Sequence, residues 1–315
     1  MKSMTGKFCL ALGLLFGAAA LADDPPPYKI LILEDPDIDQ RKVLGFVNKI
    51  RATPPYSQLG KQLAFEFVLG NKAKMDCKHP YDDIPRVVSC DSSYAADEGA
   101  KVGAHKVLNL ANFTSGGGGG VSPTVGIGDT PETALHELGH SIAGLADEYE
   151  YSKSEAKFYC TMPTPDAKPN EAFFAPKLKV FPSDAMARSI HSKDIPWYDQ
   201  ILPATLITSG TDLGTPEGSF PLHIGRNKTV TGLYPGGSCN KLIPTWHSYQ
   251  GDNAMNDADN SFFNPVQARA LLRAMEKARG ARFTGITLTA LPTDPPVGSA
   301  ATPAAPVTPT KTSAE

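Results

Sequence analysis

His136-Glu137-Leu138-Gly139-His140-Ser141-Ile142-Ala143-Gly144-Leu145-Ala146-Asp147-Glu148-Tyr149 decides the reading of this 315-residue chain. On a helix, two histidines four residues apart lie on one face and can both reach a single Zn²⁺. Glu137 sits beside that face, where a carboxylate can take a proton from water at the metal. Just upstream, Asp129-Thr130-Pro131-Glu132 reads as the helix start. Thr130 can cap, Pro131 suits the first helical position, and Glu132 complements the positive helix end. Leu135, Leu138 and Ile142 form a core stripe, and Gly144 is a natural stop.

Before this helix, apolar strands are predicted at 28–33, 63–69 and 106–112, with helices at about 37–51 and 95–105. Their alternation predicts an α/β layer with one mixed sheet. An extended substrate could pair with the edge of the 106–112 strand, which puts Asn109 and Asn112 beside it. Gly116 to Gly120 are five consecutive glycines, either a mobile rim of the cleft or a plain surface loop. No Gly-Lys-Ser/Thr follows them, so a phosphate-binding loop is set aside. Residues 152–237 are Pro-rich without a clear period and read as long loops and short helices. A last helix runs from Pro265 toward Arg279.

A catalytic zinc takes three protein ligands and leaves one position for water. Asp147 is the first choice for the third, Glu148 the alternative, and His105, His191, His223 and His247 remain more distant candidates. The stretch 136–149 resembles the H-E-x-x-H-x-x-x-G-L-x-D-E-Y signature of the bacterial IgA metalloendopeptidase family. That resemblance implies an α/β (α+β), metzincin-like zinc peptidase with a mixed sheet, an active-site helix and a loop-rich C-terminal part. In the metzincin pattern the third ligand follows three residues after a turning glycine; here Gly144 comes one residue later than in that pattern, and Asp147 stands three residues beyond it. The resemblance also implies a Met-turn at Met255 beneath the metal, and it does not carry over a substrate. Tyr149 and Tyr249 are candidates to hold an oxyanion.

Residues 1–22 have the form of a secretory signal peptide: Lys2 and Lys7, an apolar run from Phe8, and Ala20-Leu21-Ala22 before Asp23. The catalytic domain is then expected over 23–285. The stretch 286–315, with six prolines after Ala290, forms a tail. Cleavage leaves 28 basic and 33 acidic residues, a formal charge of −5, which argues against nucleic acid as a partner. No membrane insertion is expected after cleavage. The destination is the periplasm or the medium. Four cysteines remain, with three possible pairings; Cys77 with Cys90 and Cys160 with Cys239 is preferred. The expected partner is a protein or peptide substrate. A zinc hydrolase of a non-peptide amide and a non-catalytic zinc-stabilised binder are the competing readings.

Overall fold

The computed structural model describes residues 24–82, 84–160, 166–208 and 230–286. The predicted leader, His223 and the tail beyond Ile286 lie outside the described residues. In chain order, β1 (Tyr28–Glu34) leads to α1 (Gln40–Ala52), β2 (Leu63–Leu69), the one-turn α2 (Lys72–Met75) and α3 (Ser92–Lys101). Then come β3 (Lys106–Ala111), β4 (Gly117–Gly118), β5 (Thr124–Gly126) and α4 (Pro131–Ala143). The strands form one mixed sheet in the order β2-β1-β3-β5-β4. All neighbours are parallel except β4, which runs antiparallel to β5.

β1 is apolar throughout because both its faces are covered. Ile30 and Ile32 join the core made with α1 and α4, whereas Leu31 and Leu33 pack with Met75, Ala95 and Val107 on the other side. α1 buries Val43, Phe46, Val47 and Ile50 at helical spacing. It starts at Gln40, later than predicted, because the Asp39 side chain accepts from Arg41 N and caps it there. α3 starts earlier than predicted for the same reason: Asp91 accepts from Tyr94 N.

Two expectations about the sheet need correction. β3 is flanked by β1 and β5, so it has no free edge. Asn109 is fully buried, its amide donating to Ser122 O, Pro123 O and Thr124 Oγ1, and Asn112 lies past the strand end. The edge belongs to β4. The glycine run is more than a rim or a surface loop: Gly117 and Gly118 pair with Val125 and Thr124 in the sheet.

The C-terminal part contains α5 (Lys153–Tyr159), β6 (Glu171–Phe173), α6 (Asp184–His191), β7 (Tyr234–Pro235), β8 (Thr245–His247) and α7 (Pro265–Arg279). Here the loops-and-helices expectation missed a small antiparallel sheet, β6-β8-β7. Strands of two or three residues are too short to show a period of two. A second core around Phe181, Trp197 and Trp246 supports this sheet. α7 begins at a capping box of Asn264 and Gln267. The cysteines pair as preferred, Cys77 with Cys90 and Cys160 with Cys239. Among the described residues, no helix is long and apolar enough to cross a membrane.

Candidate metal centre

α4 carries the centre. Thr130 takes the cap position in extended backbone, but its hydroxyl donates to Asp259 Oδ1 rather than accepting from the helix. Leu135 and Leu138 anchor the helix in the core, which turns His136 and His140 together toward the opposite side. Gly144, at φ 63°, ends the helix in a left-handed conformation that glycine adopts without cost. The chain then doubles back, and Asn170 clamps it: its Oδ1 accepts from Ala146 N and its Nδ2 donates to Ala146 O. That clamp delivers Asp147 to the histidines.

Each imidazole is fixed from behind. His136 Nδ1 lies 2.6 Å from Ala254 O, and His140 Nδ1 lies 2.7 Å from Leu145 O. A carbonyl can only accept, so each Nδ1 carries a proton, and in the neutral ring Nε2 presents a lone pair. The two Nε2 atoms are 3.0 Å apart, and Asp147 Oδ1 lies 3.0 Å from one and 3.2 Å from the other. Asp147 Oδ2 is taken by the Tyr151 hydroxyl at 2.5 Å, whereas the buried Oδ1 has no donor. With both rings neutral, three lone pairs face one point. That arrangement fits a cation, and the three residues form a group that can hold a metal ion.

Electrostatics agree with that demand for positive charge. Burial alone would hold the His140 imidazole down, but the adjacent Asp147 carboxylate, helped by Glu137, lifts it to about 9. Burial pushes Asp147 up, and His140 with His136 more than reverses this, holding it well below the usual carboxylate range. Glu137 is raised by burial against the opposing pull of the two histidines.

Met255 is fully buried and belongs to the core beneath α4. A Cβ on Gly139 would stand 2.6 Å from its sulfur, so glycine there lets the methionine press against the helix between the two histidines. The turn around Met255 is shaped by Asn253, whose Oδ1 accepts from Met255 N and Asn256 N.

Above the centre lies an open cleft with two lobes, of about 530 and 410 Å³. Arg86, Gly117, His136, Glu137 and Tyr149 line both. β4 presses directly on α4: a Cβ on Gly117 would collide with Glu137 Oε1, and one on Gly119 would lie 2.7 Å from His140 Cβ. The outer edge of Gly117 is occupied, since its N–H donates to Arg86 O and its carbonyl accepts from Val88 N. Arg86 belongs to the loop closed by Cys77–Cys90, and its Nε and Nη2 reach Glu155 Oε1 on α5 at 3.2 and 2.9 Å.

The structure thus brings His136, Glu137, His140, Asp147, Tyr149 and Met255 together. It separates the others. Glu148 turns away from the cleft and accepts from Asn170 Nδ2, Asn253 Nδ2 and Gln267 Nε2, so it is not a ligand. His105 stacks on Tyr28, His191 pairs with Asp194, and His247 Nδ1 stands 3.8 Å from Glu148. Tyr249 is buried against Phe262 and lines neither lobe. The sequence reading missed Arg86, Tyr151 and Asn170; only Tyr151, so near the motif, carried a signal that could have found it. No protein-family model matches the chain, and no curated protein matches it in sequence.

Proposed function

We propose that this protein is an exported zinc-dependent metalloendopeptidase of metzincin-like design, related to the bacterial IgA metalloendopeptidases. The observation that carries the reading is the convergence of His136, His140 and Asp147 on one point beside Glu137, in an open cleft. Two imidazoles and one carboxylate suit a catalytic zinc. When bound, zinc supplies Lewis-acid polarisation of the scissile carbonyl and brings the pKa of water down to roughly 7. The Gly144 turn into Asp147 and the packing of Met255 on Gly139 support the metzincin-like design.

The chain's own groups then divide the work. Glu137 accepts the proton of the attacking water and returns it to the leaving amine nitrogen, a role its raised pKa favours. Tyr151 holds the outer oxygen of Asp147, so that the carboxylate presents Oδ1 alone. Burial, then the Asp147 carboxylate, push the Tyr149 phenol far above its ordinary value, so it stays a donor for a developing oxyanion. An extended substrate adds to the β4 edge beyond Val88, where Gly119 lies over His140.

The glycine at 117 is part of this machinery. In Gly117→Ala the new methyl drives the Glu137 carboxylate from its place, and a shift near 1 Å is expected to cost roughly 10²-fold in turnover. Metal content should stay at one ion per chain. Normal turnover in this variant would mean that Glu137 does not act from the position described.

The reading is tested by loading the protein with zinc and digesting a denatured protein mixture, with and without a chelator. Cuts that vanish with chelator and return with added Zn²⁺ are the expected result. A folded, zinc-loaded protein that cuts no protein or peptide overturns it. Release of acid from a non-peptide amide would then favour the other hydrolase.

A further inference from the structure

Resting on the peptidase reading, we propose that the larger lobe is a selecting pocket for a big apolar side chain, preferably aromatic, next to an acidic residue. Five aromatic rings run in contact from the metal centre to the mouth of this lobe. Tyr149 stacks on His136 at 6.3 Å, and Tyr149–Tyr151, Tyr151–Tyr159, Tyr159–Phe158 and Phe158–Tyr81 follow at 5.6, 5.4, 4.9 and 5.2 Å.

The inner two rings have duties at the centre, but the outer three do not. Among the described residues, twelve large apolar side chains are exposed; three of them, Tyr81, Val121 and Tyr159, line this lobe, and a fourth, Phe158, packs between Tyr81 and Tyr159. Val121, at the end of the glycine run, is 77% exposed, and Tyr81 and Tyr159 line the lobe with it. Scattered apolar exposure is ordinary, whereas a contiguous patch continuous with a reactive centre marks a place where something binds. Ring edges and faces at these spacings are suited to a further ring.

Charge narrows the occupant. Among the described residues, Arg86 is the only lysine or arginine lining either lobe. Its guanidinium lies over the Tyr149 ring at 5.8 Å, and Arg86 lines the lobe together with Glu137. Its Nε and Nη2 hold Glu155, and Nη1 has no partner among the described residues. A carboxylate next to the apolar residue meets that nitrogen, and a lysine or arginine in its place is repelled.

The test combines cutting with binding. A peptide library made from a digested proteome is incubated with the zinc-loaded protein, and the cut sites are read by mass spectrometry. Separately, a dye-labelled, end-blocked Gly-Glu-Phe-Glu-Gly peptide is titrated into the Glu137→Gln variant, beside versions with Ala for Phe and Lys for Glu. Phe, Tyr, Leu or Met should dominate one fixed position, with Asp or Glu adjacent. Replacing Phe by Ala should weaken binding about 10–100-fold. Tyr159→Ala and, independently, Val121→Ser should raise KM for Phe peptides several-fold and leave kcat nearly unchanged; Arg86→Gln should abolish the acidic preference. Cutting without apolar preference, or a preference untouched by both wall variants, overturns the pocket and leaves the peptidase. Selective binding of the Phe peptide without any cutting upholds the pocket and overturns the peptidase. Neither cutting nor selective binding overturns both.

Discussion

Glu137→Gln is expected to lower kcat/KM by roughly 10²–10⁴-fold, the usual loss when a general base is removed. The substitution keeps the shape of the side chain and removes only its ability to take a proton. Glu137 is not among the three residues that converge on the metal point, so zinc content should remain at one ion per chain. Because the amide still fits beneath Gly117, KM should move little and nearly all the loss should appear in kcat. Steady-state kinetics on one peptide, with elemental analysis of the same sample, checks both halves. A variant that keeps activity within a few-fold would show that another group accepts the proton.

The second large effect concerns stability. Glu148 is 3% exposed, and its carboxylate receives N–H groups from Asn170, Asn253 and Gln267. These partners belong to the segment clamping Ala146, the turn around Met255 and helix α7, so one side chain ties together three distant parts of the centre. Glu148→Ala leaves those three buried donors without this acceptor, at about 1–3 kcal/mol each. Rearrangement recovers part of that, and a net loss of about 3 kcal/mol is expected. For a domain of this size the melting temperature should fall by roughly 6–12 °C. Zinc affinity should drop as well, because Asp147 is the preceding residue and shares the Asn170 clamp. Thermal unfolding with and without zinc reads both effects; a melting point within 2 °C or so of the parent would mean the network contributes little.

Much of the centre was legible because it is local. Two histidines one turn apart, a glycine where the helix must stop and a carboxylate three residues later are all encoded within 136–147. Asp147 and Glu148 could not be separated on those grounds. They are adjacent carboxylates outside any helix or strand, and the partners waiting around each decide which one faces the two histidines. The misplaced substrate edge has a related cause. Strand order follows from how the chain crosses over, and β4 consists of two glycines with no side-chain pattern to read. Arg86 lies fifty positions before His136, and nothing nearby marks it as part of the cleft. The small β6-β8-β7 sheet escaped because its strands are too brief to show alternation.

On the proposed reading, the two disulfides bear more on selectivity than on the reaction itself. Cys77–Cys90 closes the loop that carries Arg86 and Tyr81, and Cys160–Cys239 fastens the chain right after Tyr159, so each stays one wall of the larger lobe. The metal group itself contains no cysteine. A mild reductant is expected to loosen these walls, while Asp147 feels the loss of Cys160–Cys239 indirectly, through Ser238, whose N–H donates to Asp147 O. On the peptidase reading proposed above, selectivity should then fall before activity does, so that the redox state of the surroundings would govern what is cut ahead of whether anything is.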